Sequence, residues 1–144
     1  MPMEVIVYAC QQAVPDPQVL KAIWGRSDIH LRVLAEPCSS KVEAFQLLRT
    51  LASPVDLVWV IGCEEQICRY NEGSSRAGGR QAYTKKYLAE IGLEPARLGR
   101  SVMTPDDQAA LAAIMAEIIE RVRSLGPSAL RRQPAEAAAG LAAK

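Results

Sequence analysis

The chain has 144 residues, 49% of them hydrophobic, and a formal net charge of +1. This suits one folded domain with a real core and excludes a disordered chain. The near balance of charge gives no basis for bulk nucleic-acid binding, and no apolar run reaches the roughly 18–20 residues that span a bilayer.

Glu4 to Ala9 (EVIVYA) is a short apolar, β-branched run ending at Cys10, and it reads as a buried strand. Asp16 is placed to cap a helix with Pro17 at its first position. Val19, Leu20, Ile23 and Trp24 form the apolar face of that helix, and Gly25 is its stop. From Ile29 to Ala35 the pattern alternates, with Ile29, Leu31 and Val33 on one face and His30 and Arg32 on the other. That is a strand solvated on one side, hence an edge strand, and it ends at Glu36, Pro37 and Cys38. Ser40 and Glu43 form a capping-box pattern for a second helix running to about Leu51, with Val42, Phe45, Leu48 and Leu51 inward.

Asp56 to Ile61 (DLVWVI) is the most strand-like run, and Gly62 and Cys63 follow it. A loop containing Cys68 leads to Gly73. A third helix is expected from about Ser75 to Ile91, weakened by Gly78 and Gly79 and closed by Gly92. Arg97 to Met103 is a fourth strand. Asp107 caps a long helix with Leu111, Ile114, Met115, Ile118, Val122 and Leu125 at helical spacing, stopped by Gly126 and Pro127. Strands alternating with helices imply a single α/β domain. Right-handed crossovers then give an open parallel four-stranded sheet of order 2-1-3-4, flavodoxin- or Rossmann-like, flanked by helices. Residues 1–126 form this domain, and residues 127–144 are an Ala-rich tail, mobile or wrapped on a partner.

No basic and apolar leader opens the chain, so a cytoplasmic protein is expected, in which four cysteines are free thiols, catalytic thiols or ligands rather than disulfides. Their placement is informative. Cys10, Cys38 and Cys63 each follow a strand, and Cys68 shares the loop of Cys63. In a parallel sheet these strand ends lie on one edge, where ligand sites form at the reversal of strand order. The helix after Cys38 directs its N-terminus there, which favours thiolate, and Arg69, Arg76 and Arg80 follow closely. An iron–sulfur cluster, a four-cysteine zinc site and a catalytic cysteine are the candidate chemistries. Zinc sites usually use C-x2-C knuckles, which the chain lacks. Cys63 to Arg69 reads C-x5-R, as in cysteine phosphatases, but Glu64 and Glu65 inside the loop would repel phosphate. His30, the one histidine, reads as solvated, Trp24 and Trp59 as core, and Ser74 and Ser75 as caps. No catalytic residue is expected.

The segment GCEEQICRYNEGSSRAGGR, Gly62 to Arg80, resembles the signature of the delta subunit of methyl-viologen-reducing hydrogenases, with Gly62, Cys63, Cys68, Tyr70, Glu72, Gly73, Ala77 and Arg80 in register. CSSKV (Cys38 to Val42), YACQQA (Tyr8 to Ala13) and LAEIGLEPARL (Leu88 to Leu98) are similar to further blocks of that family. The resemblance implies a two-iron, two-sulfur cluster in a small electron-transfer subunit, with Cys10, Cys38, Cys63 and Cys68 as its ligands. The implied partners are a heterodisulfide-reductase A-like FAD and iron–sulfur subunit and a second oxidoreductase: a hydrogenase, a formate dehydrogenase or a benzoyl-CoA-reductase-type complex. Relatives also occur in flavin-based electron-bifurcating complexes. This chain departs from the family at Ala13, where a second cysteine of C-x-x-C is usual, and at Arg69, where a histidine is usual. Glu64 to Ile67 replace H-P-G-D, and Ser39 and Ser40 stand in the second block. Four cysteines remain, the number a two-iron cluster needs, with no spare.

Overall fold

The computed structural model describes residues 3–16, 18–24, 28–37, 44–64, 73–105 and 107–128, with backbone only at 21–23, 44–45 and 73–75. The elements in chain order are β1 (Met3–Cys10), α1 (Gln18–Trp24), β2 (Ile29–Glu36), α2 (Ala44–Ala52), β3 (Leu57–Cys63), α3 (Gly73–Glu90), a single 3-10 turn (Pro95–Arg97), β4 (Leu98–Met103) and α4 (Gln108–Leu125). The four strands pair in parallel in the order β2-β1-β3-β4, as the alternation of apolar runs and helices predicts.

The burial pattern explains that order. β1 and β3 are central and covered on both faces: β3 is buried at every position, and β1 from Val5 to Cys10. β2 alternates buried and exposed over its first four residues, Ile29 to Arg32, and occupies the edge. Val5, Val7, Leu57, Trp59 and Ile61 face a core shared with Leu20 of α1 and with Leu111, Ile114, Met115, Ile118 and Val122 of α4. Ile6, Tyr8, Val58, Val60 and Leu98 face a second core with Leu47 and Leu51 of α2 and Leu88 of α3. Each such fully buried aliphatic side chain contributes roughly 1.5–3 kcal/mol through removal from water.

Several boundaries differ from expectation. Cys10 and Cys63 are the last residues of their strands rather than the residues beyond them. Arg97 belongs to the 3-10 turn, so β4 starts at Leu98. On α2 the fully buried residues are Leu47 and Leu51, four apart, and Leu48 is half-buried at the margin of the core. The expected cap at Ser40 and Glu43, and Val42, lie outside the described residues, as do the side chain of Phe45 and Gly25. Asp16 and Asp107 do act at helix starts. Asp16 Oδ1 accepts from the Gln18 amide at 3.0 Å, and Asp107 Oδ1 accepts from the Ala110 amide at 3.0 Å. His30 is exposed but paired, its Nδ1 lying 2.8 Å from Glu4 Oε2.

Two close approaches shape the β4 side. Gly99 lies beneath Trp59, where an added Cβ would fall inside the indole ring. The indole N–H donates to Ser101 Oγ at 3.0 Å, and the Arg121 guanidinium stacks 4.8 Å from the ring centroid. No helix among the described residues is long and apolar enough to cross a membrane.

Candidate metal centre

β1 and β3 bring two of the four cysteines together. Parallel pairing sets Ala9 opposite Ile61, so Cys10 and Cys63 close adjacent strands at the same edge of the sheet, where neighbouring strands lie about 4.8 Å apart. Both are 1% exposed, and both belong to the core under α1 and α4. The local chain explains why Cys10 is held. After it the backbone turns sharply, with the amides of Ala13 and Val14 donating to the Cys10 carbonyl at 3.1 and 2.9 Å.

The end of β2 lies beside the Cys10 thiol. Glu36 is the register partner of Cys10, and the Pro37 carbonyl lies 3.9 Å from Cys10 Sγ. The described chain stops at Pro37, one residue short of Cys38, and it stops again at Glu64, just past Cys63. Cys38 and Cys68 therefore lie outside the described residues, as do Arg69, Tyr70 and the Ser39–Ser40 pair. Among the described residues no group of three or more His, Cys, Asp or Glu side chains is placed to hold a metal ion. What the described part supplies is a pair of buried sulfur donors at a strand-end edge. Such a donor set fits a thiolate-ligated iron–sulfur group, because thiolate is the usual ligand of these clusters.

On the other face of the same edge, α3 carries features that sequence reasoning did not single out. Ala77, Gln81, Thr84 and Leu88 are all buried, at the i, i+4, i+7, i+11 spacing of one helical stripe. Thr84 satisfies its hydroxyl by donating to the Arg80 carbonyl at 2.8 Å. Gln81 is 4% exposed, and neither its amide oxygen nor its amide nitrogen has a hydrogen-bond partner among the described residues. Arg100 runs beneath the helix at Gly78, where an added Cβ would sit 3.2 Å from the guanidinium carbon. The sequence analysis read this helix only as weakened by Gly78 and Gly79, and nothing in the sequence marks an unsatisfied amide. Gln81→Met keeps the volume and removes the orphaned groups, so it should raise unfolding stability by about 1–2 kcal/mol in urea denaturation. A loss of stability instead would mean that the amide is satisfied in solution.

Comparison with known proteins covers most of this domain. Residues 5–126 match the family model described as methyl-viologen-reducing hydrogenase, delta subunit. The chain is 32% identical to an iron-sulfur subunit of the F420-non-reducing hydrogenase of Archaeoglobus profundus, over 71% of this chain and 74% of the relative. It is 31% identical to the iron-sulfur subunit of the vhu F420-non-reducing hydrogenase of Methanopyrus kandleri, over 69% of this chain and 75% of the relative. It is also 29% identical to part of the A polypeptide of the ferredoxin:CoB-CoM heterodisulfide reductase of Methanosarcina mazei, over 77% of this chain but 15% of that much longer protein. With a family match that runs from β1 to the end of α4, the chain belongs to the methyl-viologen-reducing hydrogenase delta subunit family.

Proposed function

We propose that this chain is a cytoplasmic electron-transfer subunit carrying one [2Fe–2S] cluster on Cys10, Cys38, Cys63 and Cys68. The observation that carries this reading is the pair of buried thiols, Cys10 and Cys63, closing adjacent central strands at one sheet edge. Relatives of matching length are named iron-sulfur subunits, which supports a cluster in general. The two-iron form is what the family resemblance implies; the four thiols of the sequence suffice for it but would serve a four-iron cluster equally, so the iron count decides between them. Bound there, the cluster would accept and release one electron. The residues of the chain keep two ligand positions out of water and fix their spacing through the β1–β3 ladder.

The partners in this reading are a heterodisulfide-reductase A-like flavoprotein and a second oxidoreductase subunit of the hydrogenase, formate dehydrogenase or benzoyl-CoA reductase type. Support for the first is the Methanosarcina relative, in which a segment like this chain is part of a heterodisulfide reductase polypeptide. Fusion in one chain argues for contact between separate chains elsewhere. The Ala-rich tail is expected from residue 127, but Pro127 and Ser128 are held by Arg97 and Asp56; the sequence beyond them is proposed to wrap a partner. Anaerobic purification tests the assignment. Iron and acid-labile sulfide in equal amounts, about two of each per chain, are expected for a two-iron cluster. A colourless protein with stoichiometric zinc would replace the relay by a structural zinc module.

A further inference from the structure

Beside the cysteine edge, on the α1/α4 face, a cleft of about 160 Å³ opens between the β1–α1 connection and the start of α4. Its apolar wall includes Ala13, Val19, Met103 and Leu111, and two carboxylates, Asp16 and Asp107, stand among the residues that line it. The cleft is joined to both described cysteines through the backbone. The Ala13 amide is hydrogen-bonded to the Cys10 carbonyl, and Met103 is the register partner of Cys63.

The chemistry of this cleft specifies its occupant. Its volume is well below the roughly 300–1,000 Å³ of small-molecule and cofactor pockets, and it suits one inserted side chain. Asp16 and Asp107 each accept from a helix-start amide through one carboxylate oxygen, and among the described residues no donor is seen on the second oxygen of either. The N-terminus of α4 offsets about half of one unit charge, and among the described residues no basic side chain lines the cleft. The rim therefore stays net negative over an apolar floor. An anion is repelled, and a purely apolar side chain would strip water from two carboxylates without replacing it. A basic side chain answers both, with its aliphatic stem on the wall and its charge at the rim.

We propose that this cleft seats a lysine or arginine side chain of the redox partner, and so docks that partner against the cysteine edge. The inference rests on the relay reading for the nature of the partner, and its test separates the two. Asparagine caps helices as well as aspartate does, so Asp16→Asn/Asp107→Asn removes charge while preserving the helix starts. The native complex is isolated through a tag on this chain, with Glu120→Gln, exposed on α4, as the charge-loss control. Partner retention should fall about tenfold in the double variant and stay unchanged in the control, with iron per chain unaltered. In methyl NMR of the isolated chain, Nα-acetyl-arginine amide should shift Val19, Met103 and Leu111 saturably, and its neutral citrulline counterpart should not. Full retention in the double variant, equal loss in the control, or equal shifts with citrulline would each overturn the proposal. Retention lost as expected from a chain that holds no iron would leave the docking contact standing and remove the relay reading.

Discussion

Cys63→Ser, purified without oxygen, should retain about tenfold less iron than the unaltered chain and lose its visible absorbance. Removing even an outer-shell partner of a metal commonly costs 10–100-fold in affinity, and Cys63 is read as a direct ligand. Serine keeps the shape of the side chain, but in a core position 1% exposed it costs stability of its own. Far-UV circular dichroism is therefore measured alongside the iron assay. The same loss is expected for Cys10→Ser, Cys38→Ser and Cys68→Ser, since the sequence holds no fifth cysteine to substitute. The sharper expectation is non-additivity. If all four thiols serve one cluster, the Cys10→Ser/Cys63→Ser double variant should hold no less iron than either single variant. A Cys38→Ser chain with an unchanged spectrum would remove Cys38 from the ligand set and end the four-cysteine reading.

The strand order was legible because burial writes itself into short runs. VIVYA (Val5 to Ala9) and LVWVI (Leu57 to Ile61) are apolar throughout, so their strands had to be central, while the alternation from Ile29 to Arg32 marked a strand with one wet face. From that order the convergence of Cys10 and Cys63 followed. Local patterns were weaker where a helix start set the phase. Reading α2 from a cap at Ser40 put Leu48 inward, whereas the helix buries Leu47 and leaves Leu48 at the margin. Arg97 was read as a strand residue because it adjoins an apolar run. Its true partners are backbone carbonyls some 30 residues further along the chain, and carbonyls carry no sequence signature. The cleft was illegible for a related reason. Asp16 and Asp107 were both visible as caps, but only the packing of α4 against the β1–α1 connection brings them to one opening.

Arg97→Met should lower unfolding stability by about 3–5 kcal/mol, because it takes a buried guanidinium from four backbone carbonyls and leaves them without that donor. The Arg97 guanidinium is buried at the opposite edge of the sheet from the cysteines. It donates to the carbonyls of Leu125, Gly126 and Pro127 at 2.9–3.3 Å, to the Asp56 carbonyl at 3.0 Å, and to Glu94 Oε1 at 2.9 Å. It thus caps the C-terminus of α4, where Gly126 turns the chain at φ +69°. Asp56, also buried, holds the next residue: its Oδ1 accepts from the Ser128 amide at 2.7 Å, and its Oδ2 from the Glu4 amide at 2.8 Å. In Asp56→Asn one oxygen becomes an N–H donor facing a backbone N–H, so a loss of about 3 kcal/mol is expected there. For a domain of this size either variant should melt about 10 °C lower by circular dichroism. Because both residues anchor the same short segment, the double variant should lose less than the sum, by about 1 kcal/mol or more. The latch and the cysteines are separated by the length of a strand, roughly 20 Å for six residues. Below their melting temperatures both variants should therefore keep full iron content. Iron lost from a still-folded Arg97→Met chain would mean instead that anchoring α4 at one edge sets the geometry of the thiols at the other.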